Sequence, residues 1–449
     1  MYKFILSLRY MYKRRISYLA FLAVALCVFI VVIVMTVLRG LVTDFKQKNH
    51  NFIGDCVIGT ESLVGFPYYE EFINILENQN FVEAVSPVIK NYGLLSPRYS
   101  DLNQGVELLG IDPVKHSRTT AFKESLFYHR DNVSNAFVPP YEPNLPGCVP
   151  GIDLVLERDE RGNYRQFERP FELGLSISVF PLTPKGALAK AGLGLVNTKT
   201  FYYSDNSHSG LARVDNSTVY LPFNQAQLLC GMQSPIERAS WIHVKFTPDT
   251  KLEDSCVKVR SLWLEYKQTL SNKPGAELLA GVDVRSWREH RRSYIAAMEK
   301  EQVMMTLMFI LVGLTTVFIV FVVFYMIISH KSKDIGVLRS IGVSKTNVIH
   351  LFSFFAFVMG LSASLVGAFF GWLFLSKINE IESWLFEHFD FQLWDRTIYA
   401  IEDIPNNVEI RTLTVIIMSA IIACLVGALL PSWKGSKLNP IDALQVSRL

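Results

Sequence analysis

The sequence predicts an α-helical membrane protein with four transmembrane helices and a large α+β domain inserted between helices 1 and 2. Three observations carry this. Half of the 449 residues are hydrophobic, and the mean hydropathy is +0.24. Four segments contain no Asp, Glu, Lys or Arg: Ile16 to Leu38, Gln302 to Ser329, Val348 to Ser376 and Thr412 to Trp433. Each is long enough to cross a bilayer, which takes about 20 apolar residues. Between the first and second lie about 260 residues of mixed polarity, room for one or two globular domains.

The first element is short. Phe4, Ile5, Leu8 and Tyr12 share a helical face, with Arg9, Lys13, Arg14 and Arg15 elsewhere. This pattern suits a helix on the inner membrane surface, and it also serves as a positive topology signal. Span one is expected to be retained, because its apolar run exceeds that of a signal peptide. The domain boundaries fall at 1–45, 46–290 and 291–449.

Gly40 to Asn51 continues span one as a helical stalk. Val284 to Gln302 forms the second stalk, with Trp287, Tyr294, Ile295 and Met298 at near-helical spacing. Between the stalks, Phe81 to Gly110 alternates like strands, and Glu107 to Pro113 ends in a turn signal. Asp215 to Leu221 reads as a turn entering a strand, and Ser261 to Leu270 as a helix. The proline-dense run Val138 to Gly147 is an extended surface loop or a docking site. Cys56, Cys148, Cys230 and Cys256 lie in this domain, where an oxidising compartment permits disulfides; three pairings are open. Cys27 and Cys424 fall in spans.

Orientation follows from the flanks. Lys3, Arg9, Lys13, Arg14 and Arg15 precede span one, and Lys331, Lys333, Arg339 and Lys345 lie between spans two and three. The loop after span three is acidic, with Glu380, Glu382, Glu387, Asp390, Asp395, Glu402, Asp403 and Glu409. The positive-inside bias places both termini and the 331–345 segment in the cytoplasm. The arginines at 285, 288, 291 and 292 belong to a long translocated domain, whose charges count little.

No enzymatic constellation emerges. The sequence has no Gly-x-x-x-x-Gly-Lys-Ser/Thr phosphate loop, no Gly-x-Ser-x-Gly elbow and no His-Glu-x-x-His. No Cys/His cluster has zinc spacing, so neither metal nor cofactor is expected, and no nucleic acid partner. His290 reads as a stalk surface residue. His350 sits one turn into span three, near the interface.

The segment Ser329 to Lys345 is short, basic and helix-compatible. It is too short to fold alone, so another body is expected to hold it. Span three places Gly360, Ser364, Gly367, Ala368 and Gly371 at four-residue spacing, and span four places Ala420, Cys424 and Ala428 likewise. Such faces let helices approach closely in lipid, either within this bundle or against a partner subunit. Pro431 is expected to kink span four. Asn439-Pro440 reads as the start of a tail helix.

One span, a large outer domain and three further spans resemble the FtsX-like permease family of ABC transporters. Lys333-Asp334-Ile335-Gly336-Val337-Leu338-Arg339-Ser340-Ile341-Gly342 is similar to the family's cytoplasmic coupling segment, and Leu430 to Leu444 to its C-terminal signature. Ile398 to Pro405, Leu8-Arg9-Tyr10, Gly110-Ile111-Asp112-Pro113, Val219 to Pro222 and Ala226-Gln227 resemble the lipoprotein-releasing (Lol) permeases in particular. The likeness is weakest between about Thr119 and Val214.

The resemblance implies an inner-membrane protein with a periplasmic, MacB-like domain and no enzymatic activity of its own. A cytoplasmic ABC ATPase would press on the 331–345 coupling helix, gripping Ile335, Leu338 and Ile341 while Lys333, Asp334 and Arg339 add polar contacts. A second permease subunit, the lipid bilayer, a lipoprotein cargo and a periplasmic carrier complete the implied partners. Two further readings stand beside lipoprotein release: a MacB-like mechanotransmission exporter of peptides or small molecules, and an FtsX-like regulator of a cell-wall hydrolase.

Overall fold

The computed structural model describes residues 15–98, 103–159, 162–189, 196–330, 335–337, 340–391, 394 and 403–437. The chain divides into two units. One is Asp44–Ala296; the other comprises the membrane helices, through Thr43, Ala297–Trp394 and from Asp403 onward.

Helix α1 (Arg15–Asn51) carries span one and runs on through the predicted stalk. The chain then enters β1 (Cys56–Gly59), β2 (Phe66–Pro67), α2 (Tyr69–Glu77), β3 (Val82–Pro97), β4 (Gln104–Ile111), α3 (Pro113–Thr119) and α4 (Phe122–Ser125). After the proline-dense loop come β5 (Gly147–Pro150), β6 (Gly174–Val179), β7 (Asn197–Tyr203), α5 (Ala212–Ser217), β8 (Thr218–Pro222) and α6 (Phe223–Leu229). The unit closes with β9 (Arg238–Ala239), β10 (Trp241–Phe246), α7 (Leu252–Thr269), β11 (Asp283–Ser286) and α8 (Trp287–His290).

Nine strands form one sheet, in the order β11-β1-β10-β3-β4-β8-β5-β7-β6, and β3 also pairs with β6. Six strands therefore close on themselves, and β10, β1 and β11 extend from β3. The length of β3 makes this possible. Its residues Val82–Val88 pair with β10, Val88–Leu95 with β4, and Leu94–Pro97 with β6. The turn signal after Gly110 starts α3: Asp112 is its N-cap, accepting from the amides of Val114 and Lys115 at 3.0 Å, with Pro113 in the first turn.

The larger core packs α2 and α7 on the sheet. Tyr69, Phe72, Ile73 and Leu76 recur at i, i+3, i+4 and i+7, and all four are buried. Phe72 lies edge-on to Trp263, with ring centroids 4.9 Å apart, and stacks on Tyr266 at 5.3 Å, a geometry that adds to area burial. A second core surrounds Ile53, Phe122, Tyr220, Trp241, Trp287 and Ile295.

Several boundaries differ from the sequence expectation. Residues Val284–Ser286, expected as stalk helix, are edge strand β11, paired with β1. The helix begins only at Trp287, where Ser286 and Glu289 form a reciprocal capping box. Asp215–Ser217 end α5 rather than a turn. The buried Asp215 carboxylate accepts from the amides of Ser209 and Gly210 at 2.7 and 3.1 Å. The helix expected from Ser261 starts at Leu252. The proline-dense run is pinned to the domain, because the Tyr141 hydroxyl donates to the Tyr203 carbonyl at 3.2 Å.

The membrane unit adds α9 (Arg292–His330), α10 (Lys345–Ser376), α11 (Ile378–Phe389) and α12 (Ile410–Ser436) to α1. Helices α1, α9, α10 and α12 are each long and apolar enough to cross a membrane. Helix α10 is the most enclosed and packs against α1, α9 and α12. Helix α12 passes through Pro431 and continues to Ser436. The acidic stretch after span three folds in part as α11, one residue beyond α10. At the end of the bundle away from the 331–345 segment, Arg39 pairs with Glu409 at 3.0 Å. The first 14 residues and the Asn439-Pro440 tail lie outside the described residues.

Candidate functional site

The residues between α9 and α10 build the first part of the site. Residues 335–337 and 340 are helical, and Ile341 N–H donates to the Val337 carbonyl at 3.2 Å. Gly342 ends the turn at φ +97°, a left-handed conformation that favours glycine, and a Cβ there would meet open space. Ser344 then caps α10, its hydroxyl accepting from the Asn347 amide at 3.3 Å.

The three apolar residues Ile335, Val337 and Ile341 face different ways. Ile335 is 2% exposed and sits in the bundle's own core with Ala20, Val24, Phe324, Ile327, Ile328 and Phe352. Ile341 is 76% exposed and Val337 is 45% exposed. Ile335 therefore docks the segment onto spans one to three, and the apolar surface open to another body comprises Val337 and Ile341. Sequence spacing alone grouped Ile335 with Ile341 and passed over Val337. Lys333, Asp334, Leu338 and Arg339 lie outside the described residues.

The small residues build the second part. A Cβ on Gly367 would fall 2.4 Å from the Ala25 carbonyl oxygen, and one on Gly371 would fall 3.0 Å from Val32 Cγ1. The Gly367/Gly371 pair thus seats α10 on α1. Gly360 faces α12, at 3.0 Å from Cys424 Cβ, and Ser364 is fully buried, its hydroxyl donating to the Leu361 carbonyl at 3.0 Å. On α12, a Cβ on Gly427 would fall 2.7 Å from the Val317 carbonyl oxygen of α9. Close contact at these positions is therefore made within the chain. His350 is exposed one turn into α10.

The globular unit holds a group of histidines that no spacing in the sequence announces, since they come from three separate elements. His116 of α3 and His243 of β10 have ring centroids 5.6 Å apart, and His290 of α8 lies 4.9 Å from Trp241. His290 is half-buried against that ring rather than a surface residue. Neither ring nitrogen of His243 has a hydrogen-bond partner among the described residues. Burial holds the His116 pKa down at about 3. Burial, then nearby Arg291, Lys90 and Arg285, hold His290 at about 3. His243 is pushed well below the usual range, chiefly by burial and further by His116, His290 and Arg291 close by. The group is neutral at neutral pH. Among the described residues, no cluster of His, Cys, Asp and Glu has the geometry of a metal site.

The described residues thus give four helices long and apolar enough to cross a membrane, with a folded domain inserted after the first. Residues 306–440 match the family model described as FtsX-like permease C-terminal, and this part of the chain is an FtsX-like permease domain. Beyond those residues the chain is similar to a LolC along nearly its whole length. Over 447 residues the chain is 22% identical to the lipoprotein-releasing system transmembrane protein LolC of Neisseria meningitidis serogroup B, covering 98% of each chain. It is 22% identical over 162 residues to a LolC of Xylella fastidiosa, covering 36% of this chain and 39% of that one. The periplasmic region of MacB from Actinobacillus actinomycetemcomitans superposes with 11% identity and a TM-score of 0.29, covering 56% of this chain and 97% of that one. The extracellular domain of the transporter YknZ gives the same identity and score, with 48% and 95% covered.

Proposed function

We propose that this chain couples ATP hydrolysis by a cytoplasmic ATPase to the release of lipid-anchored proteins from the inner membrane toward the outer membrane. The observation that carries the proposal is the likeness to a LolC along nearly the whole chain, inserted domain included. Both termini and the 331–345 segment face the cytoplasm, and the 46–290 domain faces the periplasm. The segment geometry supplies a coupling route. Val337 and Ile341 present an apolar surface to the ATPase, and Ile335 carries displacement of the segment into spans one to three. Leu338 adds to the gripped surface, and Lys333, Asp334 and Arg339 add polar contacts.

An external energy source fits the work. Each buried acyl CH₂ is worth about 0.8 kcal/mol, so drawing several chains out of lipid far exceeds thermal energy. Four helices enclose little volume, which calls for a second permease subunit. Met304, Leu307, Leu311 and Leu314 on α9 are all exposed and supply apolar surface for that partner, for lipid or for cargo acyl chains. A periplasmic carrier takes the released protein.

The test is depletion of the protein in its own cells, with fractionation of lipoproteins between membranes. Lipoproteins stranded in the inner membrane are the expected result. Normal sorting, with loss of peptide export or of cell-wall hydrolase activation instead, would refute release as the function. Replacing Leu338 with Asp should abolish ATPase association or uncouple hydrolysis from release. A variant that stimulates its ATPase and releases cargo like the parent would remove the coupling assignment.

A further inference from the structure

Of the four cysteines in the globular unit, two lie together. Cys56 opens β1, and Cys256 lies in the second turn of α7. They are about 200 residues apart in sequence, yet the Cys256 thiol points at the Asp55 carbonyl, 4.0 Å away, across the peptide that joins Asp55 to Cys56. That carbonyl immediately precedes Cys56, so the Cys256 thiol lies beside the start of β1. Cys56 is fully buried and Cys256 is 6% exposed, in the same apolar core. The other two are isolated from them. Cys148 is ringed by β7 and β8, opposite Tyr203, and Cys230 caps α6 with its thiol beside Asn91. Each of the three pairings the sequence leaves open needs two bonds, and the fold places the partners of a single bond, Cys56 and Cys256, near each other. All six cysteines are reduced in this structure.

We propose that Cys56 and Cys256 form a disulfide in the mature protein, a covalent brace between the first strand of the outer domain and helix α7. The proposal rests on the reading that this domain faces an oxidising compartment. Formation is thiol–disulfide exchange. One sulfur–sulfur bond forms between the two Sγ atoms, both thiol protons are lost, and two electrons reduce the disulfide of an oxidising partner to two thiols. That partner is a thiol oxidoreductase or oxidised glutathione. Burial blocks access afterward, so the bond closes during folding and then resists reductant.

The position of the brace gives it a use. Strand β1 is the first element after helix α1 and pairs with β11, which leads into the second stalk. Hydrogen bonds to β10 and β11 hold that strand, and a bond from Cys56 to α7 would stop β1 from peeling away.

The experiment uses the full-length protein, alkylated in intact cells without reductant, then denatured and peptide-mapped. The expected result is a linked peptide pair containing Cys56 and Cys256 that disappears on reduction, with Cys27, Cys148, Cys230 and Cys424 alkylated after denaturation. Linkage of any other pair overturns the proposal. If all six are alkylated, the protein is refolded with a glutathione redox couple. No Cys56–Cys256 bond then overturns the pairing, whereas a bond formed only in vitro overturns the placement of the domain outside. A second measurement compares the parent with the Cys56→Ser/Cys256→Ser protein, whose outer domain should melt about 5–10 °C lower. An unchanged midpoint overturns the brace.

Discussion

Acid should loosen the outer domain through His116, and the size of the effect follows from its surroundings. The side chain is 2% exposed, 5.6 Å from His243 and 3.4 Å from the Ser86 hydroxyl. Burial lowers its pKa from 6.5 to about 3. The folded chain therefore binds fewer protons than the unfolded chain between these values, and stability falls as pH drops below 6.5. At pH 5 an exposed histidine is about 97% protonated and one of pKa 3 only about 1%, a difference worth about 2 kcal/mol per site. His243 and His290 act in the same direction. The assay is denaturant unfolding of the full-length protein in detergent, followed by tryptophan fluorescence, since Trp241 and Trp287 line the same core. The parent should lose at least about 2 kcal/mol between pH 7 and pH 5. His116→Gln, which cannot titrate, should lose about 2 kcal/mol less over the same interval. Equal losses in parent and variant would refute the assignment of that slope to His116.

Gly367→Leu should disrupt the seat of α10 on α1 by about 1–3 kcal/mol or more, because even a Cβ meets the Ala25 carbonyl at 2.4 Å. Gly313→Leu on α9, which meets nothing within 4 Å, should be tolerated, and a cysteine crosslink between α1 and α10 reads the difference. Ile335→Ala should weaken docking of the cytoplasmic segment by about 2–5 kcal/mol while leaving ATPase copurification in place, with hydrolysis no longer stimulated by cargo. Ile341→Asp should instead abolish copurification, and identical behaviour of the two variants would contradict their separate roles. A cysteine introduced at Ser383 should react with an impermeant maleimide from outside and one at Ser344 should not; the reverse would invert the topology.

The amino-acid sequence determined the four spans, because each is a charge-free run of bilayer length and that signal is local. It also determined the strand character of Phe81 to Gly110 and the break in the chain at Asp112-Pro113, where alternation and a fixed φ act within a few residues. It marked Gly360, Gly367 and Gly371 as contact points through their spacing. What those glycines touch was left to the tertiary structure, since a small-residue face fits an internal or an external helix equally well, and only the packing put Ala25 and Cys424 against them. The same holds for the cytoplasmic segment, where Ile335 and Ile341 are equally apolar and only the bundle buries one and exposes the other. The β11 edge was hidden in a helical-looking stalk, because its pairing with β1 joins residues about 230 positions apart. The His116–His243 contact and the meeting of Cys56 with Cys256 arise in the same way, from helices α3 and α7 packing on strands distant from them in sequence, a long-range event that no local pattern encodes.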